Sequence, residues 1–201
     1  REVRTVGFVG YDETRRAFIS SRVKGRIDKL MVNYVGQRVD KGDPLASIYS
    51  PGLLTAQQEL LMANARSTAS QGATGMDAQT NQAMLDSARQ KLLLLGITEE
   101  QLDQIVRRGA PETHLTIFSP LAGFVTEKKV LEGRYVNEGD DLYTIADLSH
   151  VWMQAKVFED EIGGITEGTA VQVISTAYPN DVFAGRITFV AKTMDTATRT
   201  I

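Results

Sequence analysis

Cysteine is absent from the 201 residues of this chain. Disulfide bridges, thiolate metal sites and cysteine nucleophiles are therefore excluded. The absence does not indicate a compartment, because many periplasmic and many cytosolic proteins also lack cysteine.

Long apolar runs are absent as well. A transmembrane helix needs about 20 consecutive apolar residues, and no stretch of this sequence approaches that length. No signal peptide is visible, and the chain opens on Arg1 and closes on Ile201 without a start or stop signal. We therefore expect a fragment whose anchor or targeting segment is missing, so the lack of a signal does not favour the cytoplasm.

Charge of one sign does not accumulate anywhere. The net charge is −3, with basic and acidic residues mixed along the chain. A nucleic-acid partner would require a clustered basic face, and none is present. The motifs GxSxG and HExxH and the P-loop are also missing, so we expect no enzymatic activity.

The sequence does contain an internal repeat. The stretch SPLAGFVTEKKVLEGRYVNEGDDLYTI, residues 119–145, matches GRIDKLMVNYVGQRVDKGDPLASI, residues 25–48, with an offset of 98 residues that falls to 97. The matching pairs are Gly25 and Gly123, Val39 and Val136, Gly42 and Gly139, Leu45 and Leu142, and Ile48 and Ile145. Apolar residues and glycines at strand-and-turn spacing predict two copies of one small β unit.

Residues 51–114 separate the two copies and have helical spacing. The apolar pattern predicts one helix over 52–70 and a second from Asp77 to about Leu95. Thr98 and Gln101 form a capping box that opens a third, short helix. Because the loop between the first two helices is short, we expect them to form an antiparallel hairpin that projects from the β unit.

Short strands flank the repeat on both sides. Residues 3–22 favour a hairpin of two strands, and further strands follow residue 149, with a turn at Pro179–Asp181. Such strands are typical of a small β-barrel, here cut at its C-terminal end. The domain assignment is 23–50 and 115–148 for the repeat domain, 51–114 for the helical hairpin with its third helix, and 1–22 and 149–201 for the barrel and membrane-proximal strands.

The pattern SPxxGxVxxxxVxEGxxVxxGxxLxxI resembles the half-motif of lipoyl and biotinyl domains. Two such halves around a helical hairpin, followed by a small barrel, resemble the periplasmic adaptors, or membrane fusion proteins, of tripartite efflux systems. The segments GRIDKLMVNYVGQRVDKGDPLASIYSPGLLTAQQELL and LLLLGITEEQL are most similar to adaptors of heavy-metal pumps of the RND class, the CusB-like branch. The resemblance covers nearly all of the chain.

This resemblance implies a fold that is mainly β with an inserted α-helical hairpin. A split lipoyl-like domain, also called a barrel-sandwich hybrid, and a truncated small barrel would form an elongated modular architecture. The resemblance also implies a function without catalysis or a cofactor. The chain would join a ring, commonly a hexamer, that links an inner-membrane RND pump to an outer-membrane channel in the periplasm, at the inner membrane. The exported ion would be a heavy-metal cation, with Cu(I) or Ag(I) preferred.

Contact with partner proteins is the role that this architecture can carry. The small polar tip of the hairpin, with Gly72, Thr74 and Gly75, is the predicted docking point for the outer channel or a facing adaptor, because a partner backbone can approach glycine closely. We also expect flexible joints at Tyr49–Pro51 and Leu148–His150 that relay a conformational signal.

Two other function classes stay open. A biotinyl or lipoyl carrier would present a modified lysine just before the SPxxG half, and residues 105–118 contain no lysine. A soluble metal chaperone would need clustered ligands. Thioethers suit Cu(I) and Ag(I), and Met62 and Met84 could approach each other across the hairpin, although a methionine on such a face is more often core. His114 and His150 lack a second ligand at metal spacing and are expected in turns.

Overall fold

The computed structural model of the chain describes residues 3–70, 76–195 and 198–201. It divides into two compact units, Tyr11–His150 and Arg1–Gly10 with Val151–Ile201. The elements in chain order are β1 (Gly7–Tyr11), β2 (Arg16–Ser20), β3 (Gly25–Leu30), β4 (Arg38–Val39), β5 (Pro44–Tyr49), α1 (Pro51–Ala69), α2 (Met76–Leu94), α3 (Glu99–Arg108), β6 (His114–Phe118), β7 (Gly123–Lys128), β8 (Tyr135–Val136), β9 (Asp141–Ala146), β10 (Val151–Ala155), β11 (Ala170–Ser175) and β12 (Tyr178–Arg186).

The larger unit is built on two four-stranded sheets, ordered β2-β9-β7-β4 and β6-β5-β3-β8. Each sheet takes a short edge strand from the other copy of the repeat. Strand β4 of the first copy pairs with β7 of the second, and β8 of the second pairs with β3 of the first. Neither copy can therefore complete a sheet alone. The expected fold class is confirmed: two chain-distant segments build one barrel-sandwich hybrid around inserted helices.

The repeat extends further than the sequence alignment indicated. Strand β2 precedes the first copy and β6 precedes the second, and both are outer strands of their sheets. In the turn after each strand a serine hydroxyl, of Ser21 or Ser119, donates to the carbonyl two residues further on, at 2.6 Å in both cases. The Gly42 amide donates to the carbonyl of Ser119 at 2.8 Å, and the Gly139 amide donates to that of Ser21 at the same distance. A pseudo-two-fold axis therefore relates two halves of four strands each.

Gly25 and Gly123 occupy equivalent positions at the start of β3 and β7. A Cβ atom at Gly25 would collide with the backbone carbonyl oxygen of Tyr49, and one at Gly123 with that of Ala146. These two carbonyls are themselves equivalent in the repeat. The glycine of the half-motif is therefore required by the close approach of neighbouring strands rather than by a turn.

The core departs from the pseudo-symmetry at Tyr143. This side chain is buried on β9, whereas the equivalent buried residue on β5 is Ala46. The Tyr143 hydroxyl donates to the carbonyl of Val32 at 3.0 Å. Burial, with a smaller contribution from the Glu132 carboxylate, raises the pKa of Tyr143 to about 12. The two halves are therefore not interchangeable at this position.

The smaller unit contains two-stranded sheets, β1-β10 and β11-β12. Among its described residues only Val157 and Thr200 are buried. A bridge links Phe158 to Thr200, and the amide of Val157 donates to the carbonyl of Ile201 at 2.9 Å. The described strands of this unit therefore bury little apolar surface among themselves.

Two predictions about the flanking strands are wrong. Residues 3–22 form no hairpin, because β1 pairs with β10 whereas β2 pairs with β9. The polar segment between them is a 3₁₀ turn capped by Asp12. Distant partners decide the pairing of such short strands, so the unit boundary falls at Gly10 rather than at residue 22. Residues Pro179–Asp181 lie inside β12, where the pairing with β11 shifts register between Tyr178 and Val182, and such an irregularity accommodates proline.

We expect Gly123→Ala to lower the free energy of unfolding by about 2–3 kcal/mol, because the new Cβ would push β7 away from the carbonyl of Ala146 on β9. Gly52→Ala in α1 is the matched control: only the Ser50 hydroxyl oxygen, at 3.8 Å, lies near its Cβ position, and alanine favours a helix. Urea denaturation measures both, and equal stabilities would contradict the explanation.

Alkaline pH should destabilise the protein through Tyr143. A raised folded-state pKa stabilises the fold fully below the unfolded value of about 10, and this contribution is lost as the pH rises towards about 12. Tyr143→Phe should cost about 1 kcal/mol at neutral pH, because the hydrogen bond is lost, and should flatten the fall in stability between about pH 10 and 12. Denaturation across that range tests this, and parallel curves for both proteins would show that Tyr143 is not responsible.

Candidate functional site: the helical hairpin and its base

The hairpin begins where β5 ends. Ser50 adopts an extended backbone, its side chain accepts a hydrogen bond from the amide of Leu53, and Pro51 occupies the first turn. Proline suits this position because the amide it lacks would have no partner within the helix. The chain therefore passes from strand to helix within one residue.

The lower part of the hairpin is continuous with the core of the sandwich. Apolar side chains from all three helices are buried in one cluster with the strands; they are Leu53, Ala56, Leu60, Leu92, Leu102 and Ile105. Gly96 ends the α2 segment with a left-handed φ of 94°. The third helix begins with the expected capping box between Thr98 and Gln101. The base of the hairpin is therefore part of the same packed interior as the β-sheets.

The upper part of the hairpin is held differently. Between Leu60 and Leu92, none of the described residues is buried. Leu61, Leu85 and Ala88 are only partly buried and pack against the edge of the core. Nearer the tip, polar contacts link the two helices: the Ser67 hydroxyl donates to Oε1 of Gln82 at 3.2 Å, and the amide of Asn81 donates to the Ser70 hydroxyl at 2.7 Å. A two-helix segment without a third layer leaves its outer faces free for another protein.

A charged cluster lies where the chain enters and leaves the helices. Tyr49 at the end of β5 and His114 at the start of β6 are directly paired. The His114 imidazole nitrogen Nε2 lies 2.8 Å from the Asp28 carboxylate, and Arg26 lies 2.6 Å from the same carboxylate. The Arg26 hydrogen bond, with a further one from His114, holds the pKa of Asp28 below its usual range. This cluster lies beside the pair of strands at which the chain enters and leaves the helices.

The predicted docking residues Gly72, Thr74 and Gly75 lie outside the described residues. Their role at the tip of the hairpin stays a prediction. The helices on either side end and begin as expected: α1 runs to Ala69 and α2 starts at Met76, one residue before the predicted cap Asp77.

The structure places both methionines of the predicted pair at the surface. Met62 is 58% exposed and Met84 50% exposed, so neither packs in the interface between the helices. Met62 lies about 200° around the helix from the buried Leu60, at 100° per residue. The expectation that these methionines belong to the core is also wrong, because both lie beside the apolar stripe of their helix rather than on it.

The structure also corrects the position of the first histidine. His114 is the first residue of β6, not a turn residue, whereas His150 is exposed in a bend. Within residues 3–70, 76–195 and 198–201, no group of three or more His, Asp or Glu residues is arranged to hold a metal ion. None of the helices in these ranges has the length and apolarity needed to cross a membrane.

Two buried glutamines at the base were not singled out by sequence reasoning. The sequence assigned Gln101 only to a cap. Gln57 is fully buried and exchanges two hydrogen bonds with the backbone of Glu112, and Gln101 also donates to the carbonyl of Thr116. The available signal was a glutamine at a core-facing position of an amphipathic helix, since an amide there needs partners.

Comparison with known proteins identifies the family of this chain. The model of the family described as CusB, barrel-sandwich hybrid domain, matches residues 16–146, and that of the CusB-like beta-barrel domain matches residues 150–201. The first of these ranges takes in β2 to β9, including β2, which the sequence had assigned to the barrel.

Relatives agree with this match. The chain is 25% identical to the cation efflux system protein CusB of Escherichia coli over 193 residues, covering 96% of this chain and 44% of the relative. It is 25% identical to the cobalt-zinc-cadmium resistance protein CzcB of Cupriavidus metallidurans over 215 residues, covering 96% and 39%. The crystal structure of ZneB from Cupriavidus metallidurans matches with a TM-score of 0.60 and 26% identity, covering 96% and 85%. The chain thus spans less than half of the two curated relatives.

Leu92 and Leu94 on α2 provide a test of the shared core. Leu92 is fully buried and Leu94 is 68% exposed. We expect Leu92→Ala to cost about 2–5 kcal/mol of unfolding free energy, as for a large-to-small change in a core, and Leu94→Ala to cost less than about 0.5 kcal/mol. Chemical denaturation followed by a probe in the sheets measures both, and a Leu92→Ala transition confined to the helices would contradict a common core.

Proposed function

Because the chain belongs to the family described as CusB, barrel-sandwich hybrid domain, we propose that it is a periplasmic adaptor of an RND heavy-metal efflux system. In this role it links an inner-membrane pump to an outer-membrane channel and contributes structure rather than chemistry. The observation that carries the proposal is a helical hairpin inserted between β5 and β6 of a sandwich that both copies of the repeat must complete.

The division of the hairpin into two parts supports this role. Its base shares the sandwich core, so the helices are held firmly at one end. Its upper part has no fully buried residue among those described, and polar contacts link its two helices near the tip. Exposed helix faces on an anchored support are what docking between helices of separate proteins requires.

The assembly and location are part of the same proposal. We propose that several copies, six in the expected arrangement, form a ring in the periplasm, associated with the inner membrane. Repeated copies of a hairpin in a ring would present several equivalent tips to one channel, and linked sites of this kind bind far more tightly together than singly.

The exported ion is proposed at two levels. A heavy-metal cation follows from the family, since the relatives include a cation efflux protein and a cobalt-zinc-cadmium resistance protein. Cu(I) or Ag(I) is the finer proposal, and it rests only on the resemblance to the CusB-like branch of the family. Growth of cells lacking the gene on copper, silver, zinc and cobalt discriminates between these ions, and sensitivity to zinc or cobalt alone would exclude the finer proposal.

The carrier alternative lacks a supporting observation. A carrier lysine would lie in a tight turn just before the second half-motif, and three helices occupy the segment between β5 and β6. The chaperone alternative would need clustered ligands, and among the described residues no group of three or more His, Asp or Glu residues is arranged to hold a metal ion.

Bulky substitutions at the tip test the adaptor role. We expect Gly72→Trp and Gly75→Trp to weaken association with the cognate outer-membrane channel at least about tenfold, equivalent to about 1.4 kcal/mol, because a close backbone approach would be blocked. Gln90→Trp, at an exposed position on α2, is the control. Binding to the purified channel measures the effect, and unchanged affinity in both tip variants would contradict docking at the tip.

A further inference from the structure

The transition between sandwich and helices has the composition of a flexible joint, since Tyr49–Pro51 joins a strand to a helix through a serine and a proline. The contacts around it indicate the opposite. Gln57, two turns into α1, is 0% exposed and lies among apolar side chains of the core. A buried amide is costly unless its polar atoms find partners, so the partners of Gln57 show what this residue is for.

Both partners of Gln57 are backbone groups of the segment that leads back into the sheet. The Gln57 side-chain Nε2 donates to the carbonyl of Glu112 at 3.1 Å, and the Glu112 amide donates to the Gln57 Oε1 at 2.6 Å. A side chain that bonds both the amide and the carbonyl of one residue fixes the orientation of that residue's backbone as well as its distance. The return segment is therefore held against α1 in one register.

Gln101 makes a second connection of the same kind. Its side chain accepts from the amide of Thr98 at 3.0 Å and donates to the carbonyl of Thr116 at 3.1 Å. Thr116 lies in the middle of β6, and Gln101 is in the first turn of α3. The first turn of the third helix is thus attached to β6 itself, whereas Gln57 holds the segment just before that strand.

These contacts close a loop of constraints. Strand β5 continues directly into α1, α1 is bonded through Gln57 to the segment before β6, and β6 is paired back to β5 from Tyr49 and His114 onward. A closed triangle of short connections cannot bend without breaking one side. The triangle contains no free hinge, even though its sequence resembles one.

We propose that Gln57 and Gln101 are positioning residues that lock the direction in which the helical hairpin leaves the sandwich. The base of the hairpin and the sandwich then move as one body. A helix of 19 residues is about 28 Å long, so a tilt of about 10° at its base would displace its far end by about 5 Å. The lock itself is independent of the proposed adaptor function; only its consequence, a fixed position for channel docking, depends on that function.

The absence of cysteine makes the lock directly measurable. Arg66→Cys on α1 and Lys41→Cys in the turn before β5 are both exposed positions, and nitroxide labels there report the angle of the hairpin. Pulsed electron–electron double resonance on this labelled pair should give one narrow distance. A broad or two-peaked distribution would overturn the proposal without any further variant.

Substitution of the glutamines tests the cause. Gln57→Met keeps the length of the side chain but removes both hydrogen bonds, and we expect the distance distribution to broaden or shift by about 5 Å, as the tilt estimate requires. Gln101→Met should act in the same direction and the double variant more strongly. Gln58→Met, at the exposed neighbouring position, should leave the distribution narrow. An unchanged distribution in the double variant would overturn the proposal.

Two further measurements separate positioning from stability and from function. Val125→Ala creates a cavity in the sandwich core. It should lower the melting temperature but keep the narrow distance distribution. If the distribution of this variant broadens, loss of stability alone explains the effect and the proposal is overturned. Circular dichroism shows which variants fold. If Gln57→Met does not fold, the distance distribution of Gln101→Met provides the test instead. Affinity for the channel is measured separately, so that a narrow distance without channel binding would reject the adaptor function and retain the lock.

Discussion

The exchange of short strands between the two copies of the repeat is the constraint on which the rest of the larger unit depends. Strand β4 completes the sheet of the second copy and β8 that of the first, so the fold exists only when segments almost 100 residues apart have met. Closing so long a loop is slow and entropically costly. The helical insert shortens the effective loop, because α1 and α2 pack antiparallel and return the chain to its starting point.

Sequence reasoning recovered the features that depend on local geometry or on the repeat. Gly25 and Gly123 are equivalent positions of the repeat, and the capping box at Thr98 needs particular side chains at its two ends. Both features are found where they were expected. The partners of β1 and β2 could not be recovered, because two short strands around a polar turn fit a hairpin as well as they fit two separate sheets. Residues 72–75 at the predicted docking tip stay a prediction.

Side chains whose role is set by tertiary contacts were the hardest to assign. Met62 and Met84 are apolar, as core residues are, yet both are exposed. Each lies one position away from the apolar stripe of its helix. Gln57 shows the opposite: it is a polar residue that is fully buried, and nothing in the sequence indicated the backbone of Glu112 as its partner. Helical spacing tells which face a residue lies on, not what meets that face.

The insert enters and leaves the sandwich at two neighbouring points, since Tyr49 and His114 face each other across one pair of strands. Its ends therefore stay in place however long the segment between them is. None of the described residues between Leu60 and Leu92 is fully buried, so a helical turn added or removed near the tip would change the reach of the hairpin by about 5.4 Å and leave the fully buried core unchanged. The length of the projection is thus set separately from the fold that carries it.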